Sequence, residues 1–196
     1  MATINEADQV IQIASIGHVF WADVDADPFP LDSFVFGDDS TYGDWVWGGD
    51  TSAENLISFE VDGGDPTSKD TWDRKNMRVV RGTKSYSGTI NQVALTEDIM
   101  KIAFPGAVKE SDGSFSIAEA GSSQRALFIV VEEGVKVSGD YYPNTDVEGT
   151  FPQYSTEDFT ETAINVSILT SPTKTNTNGP IYRRFYPPRN RAGAGS

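Results

Sequence analysis

Residues 125–131 read Arg-Ala-Leu-Phe-Ile-Val-Val, a run that contains no polar side chain after Arg125. β-Branched and aromatic side chains fit the pleated surface of a sheet. A strand with only one buried face would alternate apolar and polar residues, whereas a continuous apolar run is typical of a strand buried on both sides. The run therefore predicts a strand that other parts of the chain cover on both faces.

Further strand-like stretches surround this run, and turn signals separate them at short spacing. They cover residues 9–22, 55–61, 76–94, 134–142, 147–154 and 160–168. The helix signal lies at 96–104, where Thr96 suits an N-cap, Ile99 and Ile102 share a stripe, and Pro105 ends the pattern. The predicted fold is mainly β: a β-sandwich or small barrel with one short packed α-helix.

The stretch from 55 to 94 predicts a long hairpin-like unit, with a polar excursion between its two strands. In the strand predicted over 76–94, Val80, Tyr86 and Ile90 share one parity. Small polar side chains occupy the other parity, namely Thr83, Ser85, Ser87, Thr89 and Asn91. Because side chains alternate across a strand, one face of this unit is predicted to meet water and the other to meet protein.

Charge divides the 196-residue chain into two parts. Residues 1–170 carry a net charge of −19, whereas residues 171–196 contain five basic residues, no acid, and several Pro and Gly. We therefore predict a β domain over 1–170 and an extended, mobile basic arm over 171–196. A body this acidic disfavours ordinary DNA binding. No apolar run is long enough for a membrane span and no secretory signal is visible, so an intracellular product is expected.

The residues that could carry chemistry form no catalytic or metal-binding pattern. The chain has no Cys and a single His, His18, which excludes thiolate and multi-histidine metal sites. The series Asp23, Asp25, Asp27 starts like a calcium loop, but Pro28 and Phe34 occupy the positions that need glycine and a bidentate acid. We predict no enzyme activity, no metal and no cofactor, and expect a structural role for His18.

Several blocks resemble, in their order and spacing, the major tail (tail tube) proteins of long-tailed, non-contractile, siphovirus-type phages of actinobacteria. The resemblance covers about residues 15–170. The blocks are Gly17–Ala22, Phe29–Asp32, Gly43–Asp50, Asn55–Val61, Trp72–Val80, Gly88–Leu95, the helix Thr96–Phe104, Arg125–Val131 and the closing strand 159–169.

The resemblance implies a virion structural protein that forms hexameric rings, which stack into a hollow tube for DNA ejection. It implies that the unit 55–94 builds the inner wall or reaches the next ring, with the Thr83–Asn91 polar set toward the lumen. Implied partners are further copies of the chain, tail terminator, tape-measure and distal tail proteins, and passing DNA that is not specifically bound. The protein would be made in the host bacterial cytoplasm and reside in the tail, without a membrane.

Contacts between subunits are predicted at aromatic, methionine and basic positions, since aromatic residues, Met and Arg are enriched at interfaces. These positions are Trp72, Arg74, Met77, Arg183, Arg184, Phe185 and Tyr186. Two other interpretations remain open. The tryptophans could serve a carbohydrate-binding or adhesin-like β-sandwich, and the chain could be another virion component, such as a tail terminator or decoration protein.

Overall fold

The computed structural model describes residues 16–55, 57–69, 72–73, 75, 78–94, 96–117, 121–154, 156–175 and 179–190. One α-helix, α1 (Glu97–Ala103), lies within these ranges. The strands are β1 (Ile16–Ala22), β2 (Val46–Trp47), β3 (Ser58–Gly63), β4 (Pro66–Lys69), β5 (Arg78–Arg81), β6 (Lys84–Gln92), β7 (Val108–Lys109), β8 (Phe115–Ser116), β9 (Ser123–Glu133), β10 (Lys136–Gly149), β11 (Thr162–Ile168) and β12 (Arg183–Asn190).

The main sheet is antiparallel throughout, in the order β2-β1-β9-β10-β11-β6-β3. Strand β10 is long enough to have two partners along one edge. Its first half, from Lys136 to Tyr141, pairs with β12, and its second half, from Thr145 to Gly149, pairs with β11. A register shift between Tyr142 and Thr145 separates the halves. This irregularity lets the sheet bend sharply.

The bent sheet closes into a small barrel through the segment that follows β2. Thr51 forms a bridge with Gln92 at the end of β6. The Ser52 N–H donates to the Asn91 carbonyl, and the Val93 N–H donates to the Asp50 carbonyl, both at 2.8 Å. The fully buried Gln92 amide, oriented to satisfy its hydrogen bonds, donates to the Gly48 and Asp50 carbonyls at 3.2 and 3.0 Å. This barrel confirms the predicted fold class.

Strand β9 carries a core on each of its faces. Leu127 and Ile129 lie in the barrel interior, with Val19 and Trp21 of the neighbouring strand. Ala126, Phe128 and Val130 lie on the outer side, under an aromatic layer. That layer is supplied mainly by the long connection between β1 and β2, through Phe29, Leu31, Phe34, Tyr42 and Trp45. The prediction that residues 125–131 are covered on both faces is therefore confirmed.

The predicted helix is confirmed as α1, which packs on the start of β9 and the end of β10. The Thr96 hydroxyl accepts a hydrogen bond from the Ile99 N–H at 3.3 Å and caps the helix. Ile99, Ile102 and Ala103 are buried, and each buried isoleucine contributes roughly 1.5–3 kcal/mol. Among the described residues no helix combines the length and apolarity needed to cross a membrane.

The strand predicted over 76–94 is wrong as a single element. The chain breaks at Gly82 and Thr83 into β5 and β6, and Gly63 and Gly64 break the opposing side with φ near +75°. A hairpin base of β3 and β6 thus continues into a separate two-stranded tip of β4 and β5. The hairpin-like unit itself is confirmed, with two segments instead of one continuous pair.

Two further sequence predictions need correction. The separate strands expected at 134–142 and 147–154 are parts of the single strand β10, which ends at Gly149. The segment expected to be a mobile arm includes β12, a strand of the main sheet. Residues 9–15 of the predicted first strand lie outside the described part of the chain.

Candidate functional site

A continuous polar surface covers the outer face of four neighbouring strands, β3, β6, β11 and β10. Residues that are directly opposite each other on paired strands share a face, so the registers define cross-strand rows. We call this surface the polar face. Its members are Ser58, Glu60, Asp62, Ser85, Ser87, Thr89, Asp146, Glu148, Asn165 and Ser167.

The polar face combines short neutral side chains with negative charge. One row runs Glu60, Ser87, Ser167, Asp146 across the four strands. The whole face holds four carboxylates and neither Lys nor Arg. Most of its side chains are exposed, while Thr89 and Asp146 are half-buried. The face therefore presents oxygen-rich, anionic groups to whatever lies against it.

The opposite sides of the same strands fix which way this face points. Ile90, Val147, Ile164 and Val166 alternate with the polar residues and are buried in the barrel interior. These four residues lie on β6, β10 and β11, and a shift of one residue in any of these three strands would expose its part of the apolar set. Burial of the interior thus determines that the polar residues face outward.

The polar side chains of one strand of this surface, β6, were predicted from the sequence. Those of β3, β10 and β11 were not. Ser85, Ser87 and Thr89 lie in the polar face. Asn91 follows on the same side of β6, paired with Ala163, and Thr83 is exposed just before the strand begins. The missed residues on β3, β10 and β11 carry all four acids. The sequence signal that could have identified them is the alternation of polar and apolar side chains, as in Ser-Phe-Glu-Val-Asp over residues 58–62.

Among the predicted contact residues, Trp72 is fully exposed near the hairpin tip, at 102% of its reference area. Arg74 and Met77 lie outside the described residues. The predicted contacts of the C-terminal segment are part of β12, with Arg183, Arg184 and Tyr186 exposed.

Phe185 of β12 contributes to its own domain, because its ring is half-buried and lies 5.6 Å from that of Phe128. Arg183 and Arg189 lie over the Phe185 ring at 4.7 and 5.8 Å. Arg184 approaches Asp140 at 3.6 Å, and the Tyr182 hydroxyl donates to the same carboxylate at 2.5 Å. The pKa of Tyr182 is raised, mainly because the side chain is buried and in second place because of its hydrogen bond with Asp140.

The three aspartates that resemble the start of a calcium loop make contacts within their own domain. Asp25 accepts hydrogen bonds from Ser171 and Thr173, Asp27 pairs with Lys174, and Asp23 pairs with Arg125. The three aspartates thus have separate partners.

His18 is buried and lies 3.1 Å from Glu132, with its ring stacked on Phe36. Trp21 is fully buried inside the barrel, and Trp45 is buried under the outer loop. Trp21 and Trp45 are therefore unable to stack on a sugar.

These features define a β-barrel protein with a broad anionic face, a projecting hairpin and a basic edge strand. Comparison with protein families matches residues 2–176 to the family described as phage tail tube protein. The chain belongs to that family, which implies a structural, non-enzymatic role in the virion tail and self-assembly with other tail proteins. A search of curated proteins found no match.

Proposed function

We propose that the protein assembles as hexameric rings that stack into the tube of a non-contractile tail, through which DNA leaves the virion. In this arrangement the polar face lines the lumen. The observation that carries the proposal is the polar face itself: four adjacent strands with short, anionic or neutral side chains on one side and the barrel core on the other.

The chemistry of the polar face suits a wall past which a polyanion must slide. Proteins that hold DNA neutralise its phosphates with Lys and Arg, and each such contact strengthens binding at low salt. The polar face offers carboxylates instead, together with hydroxyl and amide groups on short stems. A duplex in such a channel would be repelled from every side and would move without adhering.

The number of strands in the polar face sets the diameter of the proposed wall. Six copies that each contribute β3, β6, β11 and β10 would form a wall of about 24 strands. At ~4.8 Å between strands and a tilt of ~40°, its backbone would be about 48 Å across. Even after short side chains line this wall, the lumen would be wider than a DNA duplex. β3 ends the sheet order, so its outer edge could pair with a neighbouring copy and remove an exposed edge.

The hairpin tip and β12 are the proposed contacts between copies. Trp72 is fully exposed near the tip, and Val79 and Val80 are exposed on β5 beside it. Arg183, Arg184 and Tyr186 on β12 carry positive charge and aromatic surface on an otherwise acidic chain. We assign these residues to contacts with neighbouring copies, whose acidic surfaces would attract the arginines. Tail terminator, tape-measure and distal tail proteins are the proposed further partners.

Electron microscopy of the concentrated, purified protein tests the assembly directly. Six-fold rings or hollow filaments are expected. A protein that stays monomeric at high concentration, together with virions that lack it, would overturn the proposal. If the protein were instead a glycan-binding β-sandwich, it would remain a monomer and bind immobilised sugars. The burial of Trp21 and Trp45 argues against a glycan-binding role.

A further inference from the structure

A large cleft opens between the base of the hairpin and the sheet half formed by β1, β9 and the first part of β10. Its volume is about 760 Å³, in the range that accommodates a drug-sized ligand. The apolar residues of its wall include Phe36, Trp47, Ile57, Val131 and Tyr142. The described residues that line it include no Lys or Arg, and the ionisable ones are His18, Asp50, Glu132 and Asp140. The cleft is therefore a mostly apolar recess with acidic groups in its wall.

The tip of the hairpin, formed by β4, β5 and the residues between them, has the opposite charge. Residues 66–81 contain five basic and two acidic side chains, in a chain whose net charge is −14. Lys75 and Arg81 of the tip are exposed. The tip also exposes the apolar side chains of Trp72, Val79 and Val80. An exposed Trp among basic residues is typical of a surface that binds another protein, since Trp and Arg are enriched at hot spots.

The tip does not occupy the cleft of its own chain. β4 and β5 form a two-stranded sheet apart from the main sheet, and among the described residues neither strand contributes to the cleft wall. Trp72 is exposed at 102% of its reference area, so the described part of its own chain does not cover the ring. Apolar surface left open in this way marks a site of interaction. A second copy supplies both halves of the match, a basic tip with apolar side chains and an apolar cleft with acids.

We infer that the hairpin tip of one copy docks in the cleft of a neighbouring copy, with Trp72 against the apolar wall and the basic residues of the tip near the acids. The inference rests on the proposed assembly of copies, and it names the surface that receives the tip. The rings of Phe36 and Trp47 lie 5.2 Å apart at 76° in the cleft wall. A further aromatic ring can pack on them in the edge-to-face or offset arrangements that such rings favour. The complementary charges determine which surfaces of two copies meet.

Cross-linking between two single-cysteine variants tests this contact, because the chain has no Cys of its own. Asp73→Cys places a thiol beside Trp72 on the tip, and Ala53→Cys places one in the cleft wall. The two full-length proteins, one of them with an affinity tag, are mixed in dilute solution, concentrated together and treated with a short bismaleimide. The control mixture pairs Asp73→Cys with Ser87→Cys on the polar face, since Ala53 and Ser87 are both exposed.

We expect a several-fold higher yield of the mixed dimer for the cleft pair, and a yield that decreases as salt screens the charges. Equal yields in the two mixtures would overturn the docking of the tip in the cleft, whether or not tubes form. Electron microscopy of the same samples tests the proposed function separately. Tubes without a preferred cleft cross-link would remove this contact and leave the tube in place.

A substitution at the tip shows whether the Trp72 ring makes the contact. Trp72→Ser in the Asp73→Cys protein should lower the yield of the cleft cross-link several-fold. The matched control is Tyr154→Ser, which removes another exposed aromatic ring at a position outside the tip and should leave the yield unchanged. Both side chains are exposed, so neither substitution should disturb the fold. If the two variants give the same yield, the Trp72 ring does not occupy the cleft.

Discussion

Asp25 accepts a hydrogen bond from the Ser171 hydroxyl at 2.5 Å, although 146 positions separate the two residues. The same carboxylate accepts from the Thr173 hydroxyl at 2.7 Å and from the Thr173 N–H at 3.2 Å. Asp25 has a φ of 65°, a conformation that Asp tolerates better than most residues. This contact holds the chain where it leaves β11 and turns back toward β12.

We expect Asp25→Asn to lower the free energy of unfolding by about 1–2 kcal/mol, because an amide NH₂ would face hydroxyl and N–H donors. Asp25→Gly, which keeps the positive φ without strain but removes the carboxylate, separates the hydrogen bonds from the backbone effect. Urea denaturation of both variants measures the difference. Wild-type stability in the asparagine variant would show that the carboxylate does not hold this segment.

The Asp25 contact should also depend on pH. Burial raises the pKa of Asp25, but the hydrogen bonds from Ser171 and Thr173 outweigh it and hold the pKa below the ordinary 3.8. A lowered pKa means that the stabilisation is present above pH 3.8 and is lost as the pH falls through the folded-state value. The stability difference between the wild type and Asp25→Asn should therefore shrink as the pH falls below 3.8 and through the lower folded-state pKa. A constant difference from neutral to acid pH would contradict this.

Gln92 closes the barrel, and its removal should be costly. Gln92→Leu leaves the Gly48 carbonyl without its amide donor, whereas the Asp50 carbonyl keeps the Val93 N–H. An unsatisfied buried polar group costs about 1–3 kcal/mol. Ile90→Val, two residues earlier in the same strand, is the matched control at about 0.5–1.5 kcal/mol. Denaturation midpoints compare the two variants. If Gln92→Leu costs no more than Ile90→Val, the amide does not close the barrel.

Much of this fold could be predicted from local sequence patterns. Thr96 and the Ile99–Ile102 stripe predicted the helix, and the apolar run at 125–131 predicted a strand with two covered faces. Both follow from periodicity and capping within a few residues. The alternation of Ser85, Ser87 and Thr89 likewise identified one strand of the polar face.

The remaining features depend on contacts between distant residues. Thr51 lies in an irregular segment, and no local signal tells that it closes the barrel against Gln92. β12 contains Pro187 and Pro188, which argue against a central strand. The structure accommodates them because β12 pairs with β10 alone in the described sheet. The acids of the polar face come together only through the registers of four strands that are far apart in sequence.

Positive charge on the polar face should impede DNA passage. Glu60→Lys and Ser87→Lys lie opposite each other on β3 and β6, so the double variant places paired cations in every copy. We expect tubes that form normally but retain DNA, with binding that weakens steeply as salt rises. Glu60→Gln with Ser87→Asn is the uncharged control. Unimpeded DNA release from virions with the lysine variant would argue that this face lies away from the DNA.

Trp72 should affect assembly without affecting the stability of the single chain. Its side chain is fully exposed, so Trp72→Ser should change the free energy of unfolding by less than about 0.5 kcal/mol. If the ring contacts a neighbouring copy, the protein concentration needed for tube formation should rise several-fold. Sedimentation of assembled tubes measures this, with the exposed neighbour Asp73→Asn as control. An unchanged assembly threshold would remove Trp72 from the interface.

A cryo-electron microscopy reconstruction of the assembled tube would show directly which strands line the lumen. We expect six copies per ring, with β3, β6, β11 and β10 in the inner wall. The side chains of Glu60, Ser87, Asp146 and Ser167 should point into the lumen. A tube whose lumen is lined mainly by Lys and Arg, or in which these four residues lie on the outer surface, would contradict it.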